Sequence, residues 1–166
     1  LHYPLRRQRQ MCIRDRGKYT PTHRLQRAVA AVEQGGAERY LVLQEYGAHN
    51  EAEALRKPSK LNNVNVIVFV YDSSDTNSFS YISNLRQQYP YLASFPTLFV
   101  ATKSDLDLAR QRHEVQPDMY CRKLGLNIPH LGAGPLNVSA YLDEVAQLYN
   151  ILLSIAMDSR LSLIHI

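Results

Sequence analysis

The chain predicts an α/β fold with a mostly parallel sheet, and three observations carry that prediction. Three apolar runs have the length and composition of strands: Val66-Ile67-Val68-Phe69-Val70-Tyr71, Phe95-Pro96-Thr97-Leu98-Phe99-Val100-Ala101 and Leu136-Asn137-Val138-Ser139-Ala140. Stretches between and after them place apolar residues at helical spacing, with Phe79, Ile82, Leu85 and Tyr89 in one and a comparable pattern over 142–157. Strands that alternate with helices are joined by crossovers, and a crossover leaves neighbouring strands parallel.

Each element has its own signals. Ala28-Val29-Ala30-Ala31-Val32 and Tyr40-Leu41-Val42-Leu43 flank Gln34-Gly35-Gly36-Ala37-Glu38, which reads as a hairpin turn joining an antiparallel edge pair. The run at 66–71 reads as a buried strand ending in the turn-prone Asp72-Ser73-Ser74-Asp75, and a helix is expected over 78–89. The run at 95–101 closes in Thr102-Lys103-Ser104-Asp105. A short helix is expected over 117–124, with Pro117 in its first turn and Gly125 as its stop. The stretch 127–135 holds Pro129, Pro135, Gly132 and Gly134 and is expected to be irregular.

The two ends stand apart from the rest. Met11-Cys12-Ile13-Arg14-Asp15 can be encoded by ATG TGT ATA AGA GAC, and Leu161-Ser162-Leu163-Ile164-His165 by CTG TCT CTT ATA CAC. Followed by AG, the first string is the reverse complement of the second followed by AT, and the pair matches a transposase adapter used in DNA library preparation. Residues 1–16 and 161–166 are therefore expected to be adapter translation of no biological origin, leaving 17–160 as a partial domain. The chain has 19 Lys and Arg against 15 Asp and Glu, a net charge of +4 that would suggest nucleic acid as a partner. Setting aside Arg6, Arg7, Arg9, Arg14, Arg16 and Asp15 leaves 14 of each sign, so no nucleic-acid reading survives. Cys12 goes with that segment. Cys121 alone remains, which excludes a disulfide framework, and it is expected to be a packed side chain. His49, His113 and His130 have no metal-ligand spacing and are expected at the surface; no metal site is predicted. No apolar run is long enough to span a membrane.

The chemistry is concentrated at Thr102-Lys103-Ser104-Asp105. The carboxyl end of a parallel strand is where open α/β sheets hold their ligands. The tetrapeptide resembles the guanine-reading motif of GTPases, Asn-Lys-x-Asp. In that motif the Asp accepts from guanine N1-H and the exocyclic amine, while the Lys stem lies along the base. Adenine offers the opposite donor and acceptor pattern, which would leave the carboxylate unpaired. Ser139-Ala140 falls at the end of the next strand, where guanine-binding domains offer backbone N-H to guanine O6.

Tyr71-Asp72-Ser73-Ser74-Asp75-Thr76-Asn77-Ser78-Phe79, together with Thr97-Leu98-Phe99-Val100-Ala101-Thr102-Lys103-Ser104-Asp105-Leu106, resembles the second, C-terminal GTPase domain of the mitochondrial Rho (Miro) family, in its fungal branch. The resemblance covers most of 17–160 and is strongest over 65–125. It implies a Ras-like P-loop GTPase fold of three layers with a mostly parallel sheet. Thr102 replaces the usual Asn of the motif.

The resemblance assigns guanine binding to Thr102, Lys103, Asp105, Ser139 and Ala140. A phosphate-binding loop, Gly-x-x-x-x-Gly-Lys-Ser/Thr, would precede these elements in such a fold. No such string occurs, and Tyr19-Thr20-Pro21-Thr22 resembles the first switch, so the first strand, phosphate loop and first helix are expected to be missing. Thr20 and Thr22 are the candidates for the switch hydroxyl on Mg²⁺, with Thr22 favoured because it follows Pro21. Gln44-Glu45-Tyr46-Gly47 stands where Ras-like proteins have Asp-x-x-Gly, which makes Gln44 and Gly47 the remaining switch candidates. Ala48 follows, where a Gln normally orients the attacking water, so no catalytic residue is assigned.

The family implies a mitochondrial outer-membrane protein on the cytosolic face. It would bind GTP or GDP with Mg²⁺ when complete and serve mitochondrial distribution and morphology. Its partners would be proteins of mitochondrial transport or membrane contact, and its membrane attachment a C-terminal anchor. The fragment itself is expected to be inactive and to hold no nucleotide. Gln44 and Ala48 point instead to an alternative, a pseudo-GTPase scaffold that recruits partners without turnover, whereas Asp105 and Ser139-Ala140 point to nucleotide binding.

Overall fold

The computed structural model describes residues 26–46, 54–128, 131–139 and 144–161. The chain divides into two units, Leu1–Asn63 and Val64–Ile166.

In the first unit, β1 (Gln26–Gln34) and β2 (Ala37–Glu45) form an antiparallel ribbon. Only Gly35 and Gly36 remain between them, at φ 60° and 76°. Two consecutive positive φ values match the right-handed twist of the strands, and glycine adopts them without a Cβ penalty. The turn is therefore tighter than the five residues expected, and both strands run farther. Register places Val29 opposite Val42 and Ala31 opposite Tyr40 on one face, while the alternate residues Ala30 and Val32 are buried. A 3-10 turn, Pro58–Leu61, buries Leu61 in the same unit.

The second unit is built on a parallel sheet of three strands in the order β3 (Ile67–Asp72), β4 (Thr97–Thr102), β7 (Leu136–Val138). Helix α1 (Ser78–Gln88) and a 3-10 turn (Pro90–Ser94) connect β3 to β4. Helix α2 (Pro117–Lys123) and a small hairpin, β5 (Asn127–Ile128) with β6 (Gly132–Ala133), lie between β4 and β7. Helix α3 (Glu144–Leu161) follows. The mixed α/β architecture with its parallel sheet is the one expected. The hairpin at 127–133 is a departure from the irregular loop expected there, because its backbone groups pair with each other rather than with solvent.

Burial explains why β4 is the central strand. Leu98, Phe99, Val100 and Ala101 are consecutive and all buried, which requires cover on both faces. β3 differs from the buried strand expected, since Phe69 and Tyr71 are buried while Val70 between them is 53% exposed. Phe79, fully buried on α1, is the hub of the core. Its ring meets Tyr71 edge-on at 5.2 Å, Tyr120 at 5.3 Å and His113 at 5.3 Å, and Phe99 stacks on Phe69 at 5.1 Å. His113 is thus half-buried against aromatic rings rather than on the surface as expected. Cys121 is fully buried, and burial, with the nearby Asp118 charge, pushes its thiol up to about 11. No described helix is long and apolar enough to cross a membrane.

Candidate nucleotide site

The carboxyl ends of β3, β4 and β7 converge because the strands are parallel and in register: Asp72 stands opposite Thr102, and Thr102 opposite Val138. The chain turns after β3 and after β4, and side chains from the ends of the three strands meet.

Thr102 is committed to the frame. Its hydroxyl donates to the Tyr71 carbonyl at 2.9 Å, and its own carbonyl accepts from Ser73 through the backbone N-H at 3.1 Å and the hydroxyl at 2.7 Å. These bonds lock the end of β4 to the end of β3. Lys103 follows at φ 58°, the one non-glycine residue with positive φ among those described. A lysine in that region carries strain, which the surrounding bonds must hold. The Leu106 N-H donates back to the Lys103 carbonyl at 3.0 Å, closing a tight turn that presents Ser104 and Asp105.

The turn also leans on β7. Ser104 N-H donates to the Val138 carbonyl at 3.3 Å, and the Ser139 hydroxyl donates to Oδ1 of Asp105 at 2.6 Å. Ser139 is fully buried whereas Asp105 is exposed, so a buried donor orients a carboxylate that opens outward. Glu144, in the first turn of α3, accepts from the Ser139 backbone N-H at 2.5 Å and from the Ser104 hydroxyl at 3.4 Å, joining both turns.

On the other side, Lys103 Nζ lies 2.6 Å from Oδ2 of Asp72. Burial acts to raise the Asp72 carboxyl, but the hydrogen bonds from Lys103 and Ser74 and the lysine charge outweigh it, so the group sits below its ordinary value. The loop after Asp105 is clasped as well. Ala109 N-H donates to the Ser73 carbonyl at 2.9 Å, and the buried Gln111 accepts from the Phe79 N-H of α1 at 3.2 Å.

Lys103, Asp105 and Ser139 are therefore brought together at one sheet edge, with Thr102 beneath them as a strut. Ala140, Thr22 and Gly47 lie outside the described residues. Gln44 is described in the first unit, exposed, with its Oε1 accepting from the Tyr46 hydroxyl at 3.1 Å. Asp72, Ser73 and Glu144 also belong to the site, and sequence reasoning did not single them out. Asp72 ended a predicted strand and so could have been placed beside Thr102; Glu144 had no signal beyond its place near the start of a helix. The arrangement offers an oriented carboxylate able to accept N-H groups, two residues along from a lysine tied to Asp72. Among the described residues, no group of three His, Cys, Asp or Glu is placed to hold a metal ion.

No protein-family model matches the chain. A protein of Mycosarcoma maydis named Mitochondrial Rho GTPase 1 is 67% identical over 142 residues, covering 86% of this chain and 19% of that protein. The chain belongs to the mitochondrial Rho GTPase family. A mitochondrial Rho GTPase 1 of Cryptococcus neoformans var. neoformans serotype D is 52% identical over 147 residues, 89% of this chain and 20% of its own length. One of Gibberella zeae is 40% identical over 134 residues, 80% of this chain and 20% of its own length. The chain thus spans about a fifth of the mitochondrial Rho GTPases it matches.

Proposed function

We propose that this segment supplies the base-reading corner of a guanine-nucleotide site in a mitochondrial Rho GTPase. Asp105 accepts from guanine N1-H and the exocyclic amine, the Lys103 stem lies along the base, and guanine O6 takes the backbone N-H of Ala140, since that of Ser139 is held by Glu144. The observation that carries this reading is the 2.6 Å bond from the buried Ser139 hydroxyl to Asp105 Oδ1. It holds the carboxylate in one orientation before any ligand arrives, and a preorganised acceptor loses less on binding.

In the whole protein the nucleotide is GTP or GDP with Mg²⁺, with Thr22, Gln44 and Gly47 as the candidate switch positions. That protein acts at the cytosolic face of the mitochondrial outer membrane, and its partners are proteins that distribute mitochondria or join them to other membranes.

Exchanging the acceptor tests the base assignment. In the whole protein carrying this segment, Asp105→Asn replaces a carboxylate that accepts two N-H groups with an amide that can also donate. Labelled-nucleotide titration should show weaker GTP and relatively stronger xanthosine triphosphate. Equal weakening of both nucleotides removes Asp105 as the base-reading residue.

A further inference from the structure

We propose that Asp72 is a positioning residue for the nucleotide, holding the Lys103 stem in place as the surface along which the base lies; this rests on the guanine reading above. Asp72 closes β3 and Lys103 follows β4, and the register of these parallel neighbours sets Asp72 opposite Thr102. The carboxylate is fixed independently of the lysine. Its Oδ1 accepts from the Ser74 N-H at 2.9 Å and the Ser74 hydroxyl at 2.6 Å, and the Asp72 N-H donates to Ser78 Oγ at 2.8 Å, at the start of α1. Only Oδ2 is left to meet Lys103 Nζ, at 2.6 Å.

Lys103 is exposed. Its side chain is 50% exposed and rises from a left-handed backbone. A lysine in water samples many rotamers, and a base lying on its stem would have to order them on binding. With the ammonium already tethered to an anchored carboxylate, that ordering precedes the ligand. The two oxygens of Asp72 therefore divide the work: one ties the residue to its own turn, and the other reaches across the sheet edge to the motif lysine.

Fluorescent GDP titration of the whole protein carrying this segment tests the assignment in four forms: wild type, D72N, K103A and the double variant. D72N should bind GDP about three- to fivefold more weakly, the size expected for a partly exposed ion pair. Added to K103A it should cost nothing further. In the nucleotide-free protein, mass spectrometry should find Lys103 acetylated faster in D72N than in wild type. Equal losses in both backgrounds assign Asp72 a merely structural role and overturn the proposal. Unchanged or tighter GDP in D72N, or unchanged acetylation, overturns it too. If D72N does not fold, Asp72→Ser takes its place with the same expectations, since it removes the carboxylate that meets Lys103. A wild-type protein that binds no GDP overturns the guanine reading, and with it this proposal, before any variant is compared.

Discussion

Ser139 and Asp105, separated by 34 positions in the chain, are joined by a 2.6 Å hydrogen bond in which the buried serine hydroxyl donates to the exposed carboxylate. Parallel pairing of β4 with β7 makes this possible, because it brings the carboxyl ends of both strands to the same edge.

Removing that donor should therefore act on binding rather than folding. Ser139→Ala is expected to weaken guanine nucleotide by about tenfold in the whole protein, near the low end for a hydrogen bond to a charged group. Its thermal midpoint should move little, since Asp105 can turn to water. Unchanged nucleotide affinity by titration would show that Ser139 does not orient Asp105.

Phe79 is expected to carry far more stability than any residue of the exposed hairpin face. Phe79→Ala deletes the hub of the aromatic core and should cost about 3 to 5 kcal/mol by urea unfolding. Tyr40→Ser, at 65% exposed, should change stability by less than about 0.5 kcal/mol. Similar costs for the two would contradict the assignment of the core.

Gln111 should behave as a cap supplied from outside the helix. Its side chain accepts from the Phe79 N-H at 3.2 Å, and α1 has no side-chain cap hydrogen bond from its own N-cap residue Asn77. Gln111→Ala is expected to cost about 1 to 2 kcal/mol. The Phe79 amide should exchange with solvent faster in that variant, and unaltered exchange would remove the capping role.

Cys121 predicts a fall in stability at alkaline pH. Its thiol moves from an ordinary 9.0 to about 11 in the folded chain, through burial first and the Asp118 charge second. The folded state then holds the proton more tightly than the unfolded state, so stability is full below about pH 9 and declines as pH rises toward 11. Urea midpoints across that window should drop for the wild type, and Cys121→Ala should flatten the part of the decline that precedes tyrosine ionisation. A decline untouched by the substitution would assign it to other groups.

Much of the fold was legible because each signal was local. Apolar runs marked β3, β4 and β7; helical spacing marked α1 and α3; Pro117 and Gly125 bracketed α2. Gly35-Gly36 marked the hairpin turn, although strand pairing rather than composition decided how far the strands extend around it. The motif Thr102-Lys103-Ser104-Asp105 was also visible as a strand end, and the resemblance named its chemistry.

The sequence by itself determined that a guanine-type tetrapeptide would stand at the end of a strand in a parallel sheet. Only the tertiary structure decided what each residue of it does. Thr102 turns its hydroxyl to the Tyr71 carbonyl, Lys103 reaches Asp72, and Asp105 takes its orientation from Ser139. Those partners lie about 30 positions away from the residues they engage. Nothing in local spacing encodes such pairs; register across the sheet creates them. The same holds for Val70, exposed within an apolar run, because cover on a strand's second face comes from elements that the strand's own sequence does not specify.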